Sequence, residues 1–411
     1  MTKQLTTRKN VMLPIFLTVF LDMLGVGIAI PIVPTLFLDP THGVMPLDSS
    51  MEMRNVTLGF LLATFPLFQF FGSPVLGTLS DRHGRKKMLF LSLLGTSLGY
   101  FLFAFGISKS SLVLLFLARG LDGFTGGNVS IALSAISDTS DDENKARNFG
   151  MVGAAFGLGF ILGPYIGGRL ADPTLVSWFT VYTPFLFAAA LGILNLVLIL
   201  FVFPETLHSR THKRVDFLAG FRNIQSAFSN PTLSRLFIAV FLLTLGFNFF
   251  TQFFQVFLIH KFNFSIGQIS DFFAYIGLWI VLAQGGLMRP MSKRFSSEKI
   301  VLWTSFLLGI FLFVVILPNQ PFQQYWVAPF VALSQGLLTP NLSAMVSFKA
   351  GPTEQGKIMG LNQSIQAAAM TIPPILAGFA TNIMYQLPVL LASGFTLLGW
   401  MVLVTTNKNS T

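Results

Sequence analysis

The chain contains no cysteine. That removes disulfides, thiolate metal sites and thiol nucleophiles, and it says nothing about compartment. Charge is nearly as scarce: 10% of the 411 residues are Asp, Glu, Lys or Arg, against about 25% in a soluble domain that must coat its surface with them. A solvated globular enzyme is thereby excluded. Histidine is limited to five residues: His42, His83, His208 and His212 read as loop residues and His260 as the end of a span, so no buried His relay is expected. No G-x4-G-K-[ST] phosphate loop is present, since Gly356-Lys357 is followed by Ile358. Gly157-x-Gly159 lies inside an apolar run with no strand before it, so it is not a dinucleotide-binding turn. No H-x4-D pair and no cluster of metal ligands offers a membrane-embedded reaction centre. No cofactor and no metal are expected.

What is abundant points to the bilayer. Hydrophobic residues make up 53% of the chain, with 46 Phe, 36 Gly and 21 Pro, and the mean hydropathy is +0.70. Membrane helices tolerate Gly and Pro better than soluble ones do. A span needs roughly 20 apolar residues, and apolar runs predict twelve: 11–37, 56–79, 88–107, 111–136, 147–171, 178–203, 231–259, 266–289, 299–318, 323–348, 355–382 and 385–406. Lys3, Arg8 and Lys9 before the first run resemble the start of a signal peptide. The run extends to about Phe37, contains Asp22 and has no small-residue cleavage site, so it reads as a retained span. The expected fold is an all-α membrane protein of twelve transmembrane helices in two six-helix halves, 1–203 and 231–411. The linker 204–230 joins them. Its leading stretch, with His208, Arg210, His212, Lys213 and Arg214, reads as loop. The stretch that follows sets Phe217, Phe221, Ile224 and Phe228 on one helical face, with Asp216 placed to cap that helix.

The net charge of +10 raises nucleic acid as a partner, and the distribution of the charge excludes it. All but five of the 26 Lys and Arg residues fall on one side of the predicted topology. Arg54, Lys109, Arg169 and Lys261 lie on the other side and Arg119 lies within a span. Cytoplasmic segments collect basic residues, so both termini are expected to be cytoplasmic. The halves also echo each other. The loop Gly77-Thr78-Leu79-Ser80-Asp81-Arg82-His83-Gly84-Arg85-Lys86-Lys87 has a short basic counterpart between Arg289 and Lys299. Gly163-Pro164-Tyr165-Ile166-Gly167-Gly168 in span five has a counterpart in Pro373-Pro374-Ile375-Leu376-Ala377-Gly378 of span eleven. Repeated halves are the structural basis of alternating-access transport.

At these residues the chain resembles the major facilitator superfamily, in particular the drug:proton antiporter branch that includes the tetracycline-efflux proteins. The loop signature G-x-L-x-D-R-x-G-R-K is matched by Gly77, Leu79, Asp81, Arg82, Gly84, Arg85 and Lys86. An Arg followed by a Gly-rich run in span four is matched by Arg119, Gly123, Gly126 and Gly127. The antiporter signature G-x8-G-x3-G-P-x2-G-G is matched by Gly150, Gly159, Gly163, Pro164, Gly167 and Gly168. Asp22-Met23-Leu24-Gly25-Val26-Gly27 with Pro31 and Pro34, Arg147-Asn148-Phe149-Gly150, and Pro204-Glu205-Thr206-Leu207 are similar to the tetracycline-efflux subgroup. The resemblance implies a secondary transporter of the bacterial inner membrane, working as a monomer. It would exchange protons for small amphipathic compounds or drugs, as antibiotic-resistance exporters do. Export of a metabolite such as a sugar, amino acid or siderophore, or its symport, is the alternative within the same fold, and a membrane enzyme is the rival from another class.

Each motif also has a plain physical reading. The basic loop anchors topology, and it can also latch a gate, with Asp81 accepting from a neighbouring helix N-terminus and Gly77 and Gly84 permitting close backbone approach. Ala155, Gly159, Gly163 and Gly167 recur every four residues and form a smooth face for a packed helix; the resemblance adds that this Pro164-bent helix seals one side of a cavity. Asp22 lies deep in span one, where a charge costs roughly 2.5–3.5 kcal/mol on insertion scales. It must face a cavity, meet a cation or carry a proton. Arg119 is the available cation, and a permanent Asp22–Arg119 pair is one reading. Asp122, three residues on and on the same helical face, stands where the family pattern usually has a neutral residue. It either neutralises Arg119 and frees Asp22 to titrate or serves as a second proton site. Asn248, Gln252 and Gln255 form a polar stripe on span seven, and Gln69, Tyr275, Gln284, Gln335, Gln363 and Gln366 add neutral polar groups. As a set they suit an amphipathic, partly aromatic ligand, and singly each can be glue between helices.

Overall fold

The computed structural model describes residues 2–39, 43–139, 142–207, 210, 215–229, 231–348 and 355–408. His42, His208, His212, Lys213 and Arg214 lie outside them. The order of elements is α1 (Thr2–Leu38), α2 (Met51–His83), α3 (Arg85–Ser108), α4 (Leu112–Thr125), α5 (Asn128–Thr139), α6 (Asp142–Leu170), α7 (Thr183–Phe201), α8 (Ala219–Ser229), α9 (Pro231–Phe262), α10 (Ile266–Leu282), α11 (Met288–Arg294), α12 (Ser297–Val314), α13 (Gln324–Phe348), α14 (Gln355–Ile383) and α15 (Leu387–Lys408). Serine hydroxyls begin several of them. Ser111 accepts from Leu114 N–H at the start of α4, Ser265 and Gln268 close a reciprocal capping box on α10, and Ser296 accepts from Lys299 N–H on α12. Such caps satisfy amide donors that a helix leaves open.

The all-helical membrane fold is as expected, but the count of twelve is not reproduced. Among the described residues nine helices are long and apolar enough to cross a bilayer. The other three expected spans fall on α4 with α5, on α6 and on α13. Span four is two helices, because Gly126 and Gly127 interrupt it. Span eight runs from Ile266 to Arg294, but with a π-helical turn at Ala283–Leu287, where Gly285 and Gly286 face open space. The linker helix starts at Ala219, two residues later than its apolar face predicts. Asp216 Oδ1 accepts from Leu218 N–H at 3.0 Å and so caps the turn that leads into α8.

Two compact units are present: residues 1–47 with 64–219, and 48–63 with 220–411. In the first unit α6 lies against α1 through glycine. A Cβ at Gly159 would stand 2.5 Å from Phe20 O, one at Gly163 2.5 Å from Leu24 O and 2.7 Å from Gly27 Cα, and one at Gly167 3.0 Å from Ile28 Cα. Gly27 returns the contact, with its missing Cβ 2.8 Å from Pro164 Cδ. The two backbones therefore touch along the bare face, as small-residue stripes allow in membranes. Val19, Ile131, Ile136 and Ile199 close the apolar core around this pair.

The second unit repeats the device with different partners. Gly378 of α14 faces the first third of α2, where its missing Cβ would lie 2.8 Å from Asn55 O and 3.3 Å from Val56 Cα. Asn55 Nδ2 donates to Asn382 Oδ1 at 2.9 Å beside this crossing. Elsewhere the unit is filled by aromatics. Phe249, Phe253, Phe254, Phe257 and Phe272 are fully buried, and Phe254 stacks on Phe250 and Phe257 at centroid distances of 4.4 and 5.6 Å.

The α1–α6 contact yields a direct test of stability. Gly163→Leu must push the paired backbones apart or distort them, at roughly 1–3 kcal/mol for overpacking. Phe160→Leu, at a half-buried position on another face of α6, should be much milder. Thermal unfolding of detergent-solubilised protein should rank the wild type and Phe160→Leu together, with Gly163→Leu clearly below. Equal stability of all three would mean that the glycine face is not a contact surface.

Candidate functional site

Four helices of the first unit bring polar side chains to one buried place. Asp22 comes from α1, Tyr100 from α3, Arg119 and Asp122 from α4, and Asn128 from the first position of α5; each is less than a tenth exposed. The sequence between Asp22 and Gly27 explains how α1 fits there. Gly25, three residues after Asp22 and hence on its face, leaves the space that the Tyr100 ring and hydroxyl occupy, and a Cβ at that position would overlap them. Gly99, next to Tyr100, lets α3 approach α4 until its missing Cβ would stand 3.0 Å from Asp122 Cβ.

The charges in this cluster are not paired as a simple α1–α4 bridge. Arg119 Nη1 lies 3.7 Å from Asp122 Oδ2, and the guanidinium stands over the rings of Phe103 and Phe65 at 5.3 and 5.8 Å. Asp22 is not its ion-pair partner. Asp22 instead feels the like charge of Asp122, with the Asn128 amide beside it. Its Oδ2 has no hydrogen-bond partner, nor has Arg119 Nε. Arg119 thus stands beside Asp122 and not beside Asp22. Tyr100 and Asn128 were not singled out by sequence reasoning. Asn128 had one available signal, its position just after the Gly126-Gly127 interruption.

That interruption is held open by named donors. Thr125 O accepts from Ser92 Oγ, Gly126 O from Gln69 Nε2 at 3.1 Å and Gly127 O from Ser130 Oγ at 2.7 Å. Gln69, expected among the cavity groups, thus spends its amide donor on the broken helix. Gly123 and Gly127 abut the backbone of α2 at Phe65 and Ser73. The Gly-rich run after Arg119 therefore serves backbone contact with α2.

At the junction of α2 and α3 the basic loop forms a second network. Arg85 is buried and binds three groups: Asp81 at 2.5 Å, Asp138 at 3.0 Å and Ser80 Oγ at 2.6 Å. Asp81 is thus engaged by its own i+4 neighbour. The carboxylate that caps a helix here is Glu205, which accepts from Arg85 N–H at 2.9 Å and Lys86 N–H at 3.3 Å. Gly84 allows this with φ of 104°, a backbone state that side chains resist, and any Cβ there would run into the Glu205 carboxylate. Gly77 is different from expectation: its missing Cβ would meet only Ser130 Oγ at 3.5 Å, an ordinary contact. Lys86 Nζ binds Leu200 O at 2.8 Å, while Arg82 is exposed. Asp138 and Glu205 were missed as members of this network because their partners lie 53 and 120 residues away in sequence.

The remaining predicted residues divide as follows. Gly150 lies on α6 outside the residues whose surroundings are described, and Gly168 is buried. In the second unit Asn248 and Gln255 are buried, but each turns its donor onto its own helix, Asn248 Nδ2 to Thr244 O at 2.8 Å and Gln255 Nε2 to Gln252 O at 2.6 Å. Gln255 Oε1 is left without a partner. Tyr275 donates to Tyr325 O at 3.1 Å and forms an aromatic group with Tyr325 and Trp279, at 5.4 and 6.1 Å between centroids. Gln366 is half-buried and Gln363 exposed. Gln335 Nε2 binds Thr339 Oγ1 at 3.0 Å, and Gln284 lies in the π turn. Among the described residues no three His, Cys, Asp or Glu side chains gather as a metal site would require.

The chain is thus a multi-pass helical membrane protein with a buried charge cluster and a hydrogen-bonded basic loop in its first unit. Residues 15–374 match the Major Facilitator Superfamily model, and the chain belongs to that superfamily. It is 31% identical over 375 residues to the class C tetracycline resistance protein of Escherichia coli, spanning 89% of this chain and 88% of the relative. It is 28% identical to the quinolone resistance protein NorA of Staphylococcus aureus (strain COL), over 95% of both chains. It is 27% identical to multidrug resistance protein 2 of Bacillus subtilis (strain 168), over 97% and 95%. In fold it is similar to a D-xylose-proton symporter, with a TM-score of 0.77, 14% identity and 97% coverage of each chain. It is likewise similar to the human organic anion transporter MFSD10, with a TM-score of 0.74, 23% identity and coverage of 96% and 99%. The chain is a transporter of this superfamily, and its named relatives are drug-resistance proteins.

The Arg119–Asp122 couple makes a prediction about folding. Arg119→Ala leaves a buried carboxylate without its cation, a loss of roughly 3–5 kcal/mol when one partner of a buried pair is removed. Lys should rescue less than fully, because it lacks the planar guanidinium that covers two rings. Size-exclusion profiles and melting temperatures in detergent should show Ala worst and Lys intermediate. A well-expressed, fully stable Arg119→Ala protein would remove the couple from the structure's supports.

Proposed function

We propose that this transporter is a proton-coupled antiporter that exports small amphipathic compounds by alternating access, from a bacterial inner membrane with both termini in the cytoplasm. The observation that carries this reading is Asp22. It is a carboxyl in the middle of a span, 7% exposed, with an oxygen that no protein group satisfies, while the cation of its cluster is committed to Asp122. Burial disfavours a charged carboxylate, and a carboxyl without a countercharge can relieve that cost by taking up a proton. Arg119 and Asp122 then form a fixed couple beside a titrating group. The basic residues on one side of the topology support the orientation. The resistance-protein relatives support a drug-like cargo. So do the neutral amides and aromatic faces of the second unit, which suit an amphipathic molecule better than a sugar phosphate or dianion.

Reconstitution into liposomes with an imposed pH gradient and a substrate panel tests the reading. Asp22→Asn keeps shape and hydrogen bonding but cannot load a proton, so gradient-driven efflux should be lost while substrate binding persists. Wild-type efflux in that variant would sink Asp22 as the carrier. Gradient-driven movement of sugars or amino acids, with none of amphipathic drugs, would favour the metabolite alternative.

A further inference from the structure

Asn128 is 0% exposed, yet neither its Nδ2 nor its Oδ1 closes a hydrogen bond of good geometry within the protein. A buried amide left this way costs free energy that packing alone does not return. Its place in the chain is not incidental. It is the first residue of α5, immediately after an interruption whose carbonyls Ser92, Gln69 and Ser130 satisfy. The break's demands are thus met by other groups, and the Asn128 side chain is held in reserve. It faces the Asp22 carboxyl, whose Oδ2 is likewise unpartnered.

The geometry points to Asn128 as the positioning residue for the Asp22 carboxyl, serving it in both protonation states. An amide is suited to that task because it carries a donor on one end and an acceptor on the other. Its Nδ2–H donates to the ionised carboxylate. After Asp22 takes up a proton, rotation of the amide brings Oδ1 to accept from the new O–H. An amide committed to a backbone carbonyl, as in Asn248 or Gln255, could not make that turn. The charged or titratable groups around Asp22 are Tyr100 from α3 and Arg119 and Asp122 from α4. On the sides of α1 that face α6 and α7 the contacts are Gly159, Gly163 and Gly167 and an amide, Asn195, which donates to Thr18 Oγ1 at 2.9 Å. Asn128 is therefore the non-titrating amide placed to respond to the charge of Asp22.

This inference rests on Asp22 being the proton carrier, and two variants separate its failure from the failure of that reading. Asn128→Leu keeps the γ-branched shape, with somewhat greater bulk, and removes both hydrogen-bonding ends. A charge-assisted bond favours the ionised carboxylate more than a neutral bond favours the acid. Losing both should therefore move the pH midpoint of gradient-driven efflux upward by about one unit. Asn128→Asp, nearly isosteric, puts a like charge beside Asp22 and should move the midpoint up further, because two facing carboxylates resist losing both protons. Infrared difference spectra give a readout independent of transport. The protonated-carboxyl C=O band that vanishes in Asp22→Asn should shift to higher frequency in Asn128→Leu. Folded Leu and Asp variants with the wild-type midpoint and an unmoved band would overturn the proposal. So would a slower rate with no shift in midpoint. Should the Leu variant fail to fold, the Asp variant decides alone, and a wild-type midpoint there overturns the proposal. Full gradient-driven efflux in Asp22→Asn would instead defeat the carrier reading itself.

Discussion

In hydrocarbon a backbone carbonyl that leaves the helical ladder must find another donor, and the first unit is organised around one place where that demand is met. Span four is interrupted at Gly126 and Gly127, and side chains from α2, α3 and α5 supply the donors. Ser92 reaches Thr125 O, Gln69 reaches Gly126 O and Ser130 reaches Gly127 O. The same segment lets α2 approach backbone to backbone at Gly123 and Gly127. The buried charge cluster adjoins that break. α4 ends with Arg119 and Asp122 on one face, and α5 begins with Asn128 beside Asp22.

α1 is shaped to accept this neighbour on one side and α6 on another. Asp22, Gly25 and Gly27 each answer a different requirement. The first supplies the unpaired carboxyl, the second clears room for Tyr100, and the third meets Gly163 and Pro164 of α6. Substituting either glycine would push α1 away from a partner, and with it the carboxyl. The position of Asp22 is thus set by contacts with no chemistry of their own. This is the sense in which a helix-packing stripe and a polar site on the same span belong to one design.

The helical class and the bare face of α6 were legible in the sequence, because apolar run length and a four-residue glycine period map directly onto structure. The Arg119–Asp122 couple was legible as one of two options, since residues three apart on a helix must share a face. Three things were hidden. The break in span four was masked by its apolar flanks, since Gly-Gly within such a run reads as tolerated glycine until its carbonyls are traced to their donors. The partners of the basic loop, Asp138 and Glu205, sit at the ends of other elements, and no local period connects them to Arg85. Gly77 and Gly84 look alike in the motif, but only Gly84 has a positive φ and a carboxylate where its Cβ would be. The amides on α9 show the converse: their spacing marks a stripe, yet donors bonded to their own helix leave only acceptors to be read as function.

The pairing of Arg119 with Asp122 also decides what a proton does under the proposed cycle. With both members ionised the couple is neutral as a unit, and under that cycle the charge of the cluster then follows Asp22, negative when ionised and zero when protonated. Had Arg119 bound Asp22, protonation would have released a buried guanidinium toward Asp122 and required the couple to rearrange, with the penalty that attends an uncompensated charge in a low-dielectric core. Separating a permanent pair from a titrating carboxyl avoids that. Under the proposed cycle the ionised state of Asp22 would depend on dipoles instead of a countercharge, and the Asn128 amide is the one placed beside it. Dipoles can reorient as a proton arrives or leaves, whereas a salt bridge must be broken. If Asp22 carries the proton as proposed, the former suits it better.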